Sequence, residues 1–286
     1  MLFVLGGVSM YVGAALAVGL FDRLAPSAVA VLRLIGAAAV LLAWRRPPAV
    51  AWRGRRFARA TAFGLATGLM NLAFYEAIAR LPLGTAVAVE FCGPVAVAAI
   101  ASRRPRDVVA VLLAATGVLL IAYVRWSGAP WGVVWALAAA TMWAAYILLG
   151  ARVATAGNGL DDLAVGFGAS AVLLSPVLLF GNPAGVAALV DPVVLGLGLG
   201  VGVLSSVVPY VLDQVVLRRV GTARFAVLLA LLPATATVVG LVLLAQLPGP
   251  AEALGIAAVV GAVALRSRDG DPSAGPPQSA TESDIA

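Results

Sequence analysis

From its first residues to about position 265 the chain alternates long apolar runs with short polar breaks. The runs fall at roughly 2–20, 26–44, 60–79, 83–101, 107–124, 131–151, 162–180, 192–215, 222–245 and 250–265. A helix rises 1.5 Å per residue, so about 20 apolar residues cross ~30 Å of hydrocarbon. The pattern predicts an all-α polytopic membrane protein with ten transmembrane helices, the last the shortest. The tail 266–286 is polar and rich in Pro, Ser and Gly, a composition that cannot bury a core and predicts disorder.

Composition agrees with the pattern. Hydrophobic residues make up 62% of the 286 positions and charged ones 11%, against about 25% charged in soluble domains. The net charge of +6 comes from arginines, for lysine is absent. Their placement explains the charge without nucleic acid. Fifteen flank one set of run ends: Arg45, Arg46, Arg53, Arg55, Arg56, Arg59, Arg103, Arg104, Arg106, Arg152, Arg218, Arg219, Arg224, Arg266 and Arg268. Three, Arg23, Arg80 and Arg125, flank the other set. The positive-inside rule then puts both termini in the cytoplasm of a bacterial-type plasma membrane, in parity with ten spans. Trp126, Trp131 and Trp135 at one boundary, and Trp44 and Trp52 at the other, suit an aromatic belt. Residues 1–20 lack the charged leader and cleavage site of a secretory signal and read as the first span, begun almost without a preceding segment.

The polar residues inside the runs carry the candidate chemistry. Glu90 lies within the fourth run, where a carboxylate costs on the order of 2.5–3.5 kcal/mol to insert. Pro94 follows four residues later and has no N–H, so it leaves the Glu90 carbonyl without its helical partner. Gly93 leaves room beside that notch. Arg33 lies at the same depth in the second run, so an ion pair with Glu90 is open, as is a substrate meeting both charges. Glu76 has Arg80 at i+4, the favourable order for a helix pair. Pro209 frees the carbonyl of Ser205 one turn before Asp213. Asn71 and Tyr75 share one helix face, and Tyr210 and Gln214 share another, so these four either line a polar cavity or hydrogen-bond between helices. Cys92 reads as a packing residue, and Asp107 and Glu252 as acids at helix starts. Gly64-x-x-x-Gly68 and Gly196-x-Gly198-x-Gly200-x-Gly202 read as close helix contacts.

A faint repeat runs through the chain. Gly84-Thr85-Ala86 recurs as Gly221-Thr222-Ala223, and the same offset carries Glu76 onto Asp213; Pro94 and Pro233 follow in the next helix. Five spans per half is an odd number, so the halves, 1–125 and 130–265, are expected to sit upside down relative to each other.

On these residues the chain resembles the drug/metabolite transporter superfamily. Pro82-Leu83-Gly84-Thr85-Ala86, Glu90-Phe91-Cys92-Gly93-Pro94 and Ser102-Arg103-Arg104 are similar to its fourth-span motif in the EamA family, threonine/homoserine exporter branch. Gly19-Leu20-Phe21-Asp22, Leu32-Arg33-Leu34, Ser205-Ser206-Val207-Val208-Pro209-Tyr210 and Leu232-Pro233-Ala234 support it. The ninth-span phrase Leu231-Leu232-Pro233 departs from the pattern, which often has an acid before the proline. The resemblance implies a ten-helix efflux carrier of two inverted halves.

The expected function is secondary export of small metabolites such as amino acids, coupled to protons, with Glu90 as first candidate proton carrier and Asp213 as second. Import or facilitation of another small metabolite or drug, and a non-transporting scaffold, are the alternatives. Expected partners are a small-molecule substrate, protons and lipid, with no nucleic acid, in a monomer or homodimer. No phosphate-binding G-x-x-x-x-G-K-[ST] loop occurs. With no histidine and one cysteine, histidine-based metal sites and triads and an intrachain disulfide are excluded. Neither a cofactor nor an enzymatic activity is expected.

Overall fold

In a computed structural model the structure describes residues 2–101, 105–125, 128–154, 159–180, 186–209 and 231–267, together with 212 and 228. The described residues form helices: α1 (Leu2–Val18), α2 (Pro26–Arg45), α3 (Gly54–Ile78), α4 (Leu83–Glu90), α5 (Cys92–Ala101), α6 (Pro105–Arg125), α7 (Pro130–Ala154), α8 (Gly159–Leu174), α9 (Pro192–Gly202), α10 (Leu231–Leu244) and α11 (Pro250–Ser267). No strand occurs among them. Four stretches are long and apolar enough to cross a membrane: Pro26–Arg45, Val108–Arg125, Pro130–Gly150 and Leu160–Leu179. Shorter apolar helices make up most of the rest. The chain is a multi-helix membrane protein.

The predicted spans match these elements with instructive offsets. α3 begins six residues before its apolar run, because Arg55, Arg56 and Arg59 continue a helix that no breaker interrupts. α8 stops at Leu174 because Pro176 disfavours helical geometry at Ser175; a 3₁₀ turn, Ser175–Leu179, completes the run. The fourth run is two helices separated at Phe91, where Pro94 withholds an N–H from the Glu90 carbonyl. The room at Gly93 is filled by a neighbouring helix. A Cβ there would strike the Ala140 carbonyl of α7, so the glycine is what lets the two backbones touch.

The helix ends sort into two layers. In one layer Arg23 meets Asp191 at 3.3 Å, the Ser27 N–H donates to Glu76, Gln246 accepts from the Leu83 N–H, and Arg125 grips Glu252. Gly132, at the start of α7, packs on Arg80 and Leu81 in this layer. In the other layer Arg45 pairs with Asp161 at 3.0 Å and Arg56 with Asp162 at 2.6 Å. The start of α1 belongs there, since Gly7 packs on Leu232 at the start of α10, whose far end reaches Gln246. So α1 and α7 begin at opposite ends of the bundle.

Part of the packing follows an exchange pattern. Take α1, α2, α3, α4/α5 and α6 onto α7, α8, α9, α10 and α11. The contact of α3 with α7 becomes that of α9 with α1, and α3 with α8 becomes α9 with α2. The contact of α4/α5 with α7 becomes that of α10 with α1. The pairs α2 with α8, α4 with α10 and α6 with α11 map onto themselves.

Glu252 shows how the helix ends of the first layer are tied. It is 1% exposed, accepts from Arg125 Nη2 at 2.6 Å and Nε at 3.2 Å, and takes the Thr85 hydroxyl. One carboxylate thus fastens α4, α6 and α11. A double-mutant cycle of Glu252→Gln and Arg125→Met, read by thermal unfolding in detergent, is expected to give a coupling energy of about 1.5–3 kcal/mol, the range for charge-assisted hydrogen bonds. A coupling near zero would show the tie to be incidental.

Candidate functional site

The site forms where α2, α3, the end of α4 and the segment after α9 converge. At that segment α9 passes into a π-helical turn, Val203–Val207, followed by Pro209. Proline has no N–H, so the Ser205 carbonyl cannot close its helical bond. Arg33 takes it instead. Its Nη2 donates to the Ser205 carbonyl at 2.8 Å and its Nε to the Ser206 hydroxyl at 3.1 Å. The guanidinium also lies over the Tyr75 ring, 5.5 Å from the centroid, a cation–π distance. Arg33 Nη1 makes no hydrogen bond among the described residues.

Small residues make this possible. At Gly36 an added Cβ would sit 2.6 Å from the Leu199 carbonyl, and at Gly202 it would strike the Arg33 carbonyl itself. The α2 and α9 backbones therefore touch at Arg33 and again within the following turn. Ser205 in turn donates to the Met10 carbonyl at 3.1 Å, and Ser9 to the Leu204 carbonyl at 2.8 Å, so α1 holds the π-helical turn from its other side.

Glu90 is 8% exposed, as is Arg33. No hydrogen bond or ion pair of Glu90 is found among the described residues, and Arg33 does not pair with it directly. The two are nevertheless within electrostatic reach of each other, and Glu90 is within reach of Tyr11. The ion pair that the sequence left open is thus not closed: Glu90 ends α4 beside the break at Phe91, and Arg33 stands apart from it on α2. Phe91, the residue at that break, sets its ring edge-on to Trp143 of α7 at 4.7 Å.

The other predicted residues divide. Tyr75 is fully buried, with Phe21 edge-on to its ring at 6.2 Å, and its hydroxyl has no hydrogen-bond partner among the described residues. Asn71 donates to the Thr67 carbonyl of its own helix at 2.8 Å, which leaves its amide oxygen for a neighbour. Glu76 is engaged by Arg80 at 2.6 Å and by the Ser27 N–H at 3.1 Å; it clasps α3 and caps α2. Pro233 is buried in the first turn of α10. Tyr210, Asp213 and Gln214 lie outside the described residues, as does the Gly221-Thr222-Ala223 repeat. Cys92 packs, its thiol 3.9 Å from the Ala114 carbonyl. Sequence reasoning missed Tyr11, Ser9 and Ser206. Small hydroxyls are common inside membrane helices, so nothing local marks these.

A broken helix, a π-helical turn with a proline after it, and two buried ionisable groups near them mark a polar site inside a helical membrane protein. Comparison with known proteins makes the class specific. Residues 130–268 match the EamA-like transporter family. The threonine/homoserine exporter RhtA of Salmonella typhimurium (strain LT2) is 36% identical over 266 residues, covering 89% of this chain and 86% of its own. The exporter of the same name from Escherichia coli K12 is 36% identical over 262 residues, covering 87% and 84%. A solved crystal structure shares the fold with a TM-score of 0.61 at 21% identity, covering 92% of this chain and 94% of its own. The chain belongs to the EamA-like transporter family.

Proposed function

We propose that this chain exports small amino acids of the threonine and homoserine type across the bacterial plasma membrane, as a secondary carrier driven by the proton gradient. The observation that carries the reading is the separation of Arg33 from Glu90. Two buried opposite charges held only for packing would close into an ion pair, since each is costly alone in a low dielectric. Here Arg33 faces neutral oxygens and an aromatic ring, while Glu90 is left open beside a freed carbonyl. A zwitterion fits between them, carboxylate to Arg33 and ammonium to Glu90. A proton on Glu90 satisfies the same position when the substrate leaves, which couples the two fluxes.

Alternating access follows from two halves, 1–125 and 130–265, inverted about an axis in the membrane plane. Support comes from the exchange pattern in part of the packing and from the opposite starting ends of α1 and α7. The arginine bias places both termini in the cytoplasm. The relatives' names supply the substrate class.

The test is efflux of labelled threonine and homoserine from preloaded cells at several external pH values. Glu90→Gln is expected to reduce net export about tenfold, equivalent to ~1.4 kcal/mol of lost coupling, and to flatten its pH dependence. Export unchanged at every pH would remove Glu90 from the mechanism. Absence of any amino-acid efflux by the unmodified protein in proteoliposomes would end the proposal.

A further inference from the structure

Nearly every buried polar group in a folded protein has a hydrogen-bond partner, and each exception calls for a reason. Tyr75 is such an exception. Its ring is fully buried, yet its hydroxyl finds no partner among the described residues. It does not sit at random. The ring is the surface over which the Arg33 guanidinium lies, and Phe21 and Phe74 pack beside it. The orphaned hydroxyl therefore belongs to the same place as a cation with no anionic partner among the described residues. Long side chains on a helix lean toward its N-terminus. Tyr75 lies one turn from the C-terminal end of α3, so its ring leans into the bundle, away from the end layer that holds Glu76 and Arg80.

Two open positions in one place, one for an anion and one for a hydrogen-bonding hydroxyl, describe a ligand that carries both. We propose that the Tyr75 hydroxyl reads the side-chain hydroxyl of the exported amino acid, which makes Tyr75 the specificity-determining residue of the site. The inference rests on the carrier reading and sharpens it. Arg33 and Glu90 recognise any α-amino acid. Tyr75 selects those with a hydroxyl within reach of the carboxylate end, such as threonine or homoserine, over apolar ones of the same shape, such as valine. A polar group left without its partner rejects the apolar analogue more strongly than a pocket rejects a change of size.

The removal of an orphaned hydroxyl has an unusual signature. A hydroxyl that holds the fold lowers stability when deleted; one that waits for a ligand does not, because its burial was uncompensated in the empty protein. Purified protein and Tyr75→Phe are to be compared by thermal unfolding with and without threonine, homoserine and valine, and by competition of each against labelled threonine in proteoliposomes. Tyr75→Phe is expected to unfold at or above the temperature of the unmodified protein when empty. It is expected to lose most of the threonine-induced shift and to lower the threonine-to-valine preference about tenfold, the worth of one well-made hydrogen bond. An unchanged preference, or an empty Tyr75→Phe protein that is less stable or does not fold, overturns the inference while leaving the carrier reading in place. An unmodified protein that responds to no amino acid overturns both.

Discussion

Replacing Arg33 by leucine is expected to reduce threonine export by about 30-fold to several thousand-fold, with folded protein recovered in normal amounts. The range follows from removing one partner of a buried charged contact, roughly 2–5 kcal/mol at about 1.4 kcal/mol per tenfold. Loss of folding is not the cause to expect, because leucine inserts into a bilayer helix far more readily than arginine. What disappears is the only buried cation in reach of Glu90 among the described residues, and with it the proposed anchor for a substrate carboxylate. Arg33→Lys is the informative companion. Lysine keeps the charge but is a point donor, whereas the guanidinium serves the Ser205 carbonyl and the Ser206 hydroxyl at once and lies over the Tyr75 ring. Lysine is expected to restore only a small part of the activity. Initial efflux rates per unit of folded protein settle the matter, and full activity in Arg33→Lys would show that charge alone suffices and the fork is incidental.

The second large effect is expected from a single methyl group. Gly202→Ala is expected to lower stability by about 1–3 kcal/mol, the usual cost of overpacking, and to impair export beyond what the loss of protein explains. The added carbon would strike the Arg33 carbonyl and come within 3.0 Å of the Ala37 nitrogen, and backbone atoms cannot swing aside as a side chain can. α2 must then move off α9, and Arg33 moves with it. Gly200→Ala, two residues earlier on the same helix, meets nothing within 4 Å and is expected to be neutral or slightly stabilising, since alanine favours a helix by up to ~1 kcal/mol over glycine. Thermal unfolding of both variants beside their efflux rates checks the contrast. Equal behaviour of the two would contradict the crossing described.

That contrast also shows how far the sequence could be read. Gly196, Gly198, Gly200 and Gly202 look alike as a string, and all four suggested close contact. Only Gly198 and Gly202, four apart and on one face, press on α2, while Gly196 and Gly200 meet open space. Helical spacing separates the two pairs, but which pair faces a neighbour depends on a rotation that no local residue fixes. Proline was more legible. A missing N–H acts on a carbonyl four residues back wherever the helix lies, so the freed carbonyls of Glu90 and Ser205 could be named in advance. The structure adds that Arg33 is what occupies the second of them. Glu76 was half legible: Arg80 is a neighbour in sequence, but Ser27 is 49 residues away. Glu252 was also half legible: it lies in the first turn of α11, as its position suggested, but its partner Arg125 is 127 residues distant.

The sequence alone determined what depends on counting and on local bonding: membrane-crossing helices, the polarity of their ends, the break in the fourth run and the acids too costly to be there by accident. Insertion energies and backbone hydrogen bonds act within a single helix, so a single helix reveals them. Tertiary structure alone decided which charges meet. Counting along the runs puts Arg33 and Glu90 at the same expected depth, and no more than that can be read from the sequence. Whether they close on each other or stand apart depends on how α2 and α4 are turned and on the carbonyl that α9 offers, and those are properties of the packed bundle.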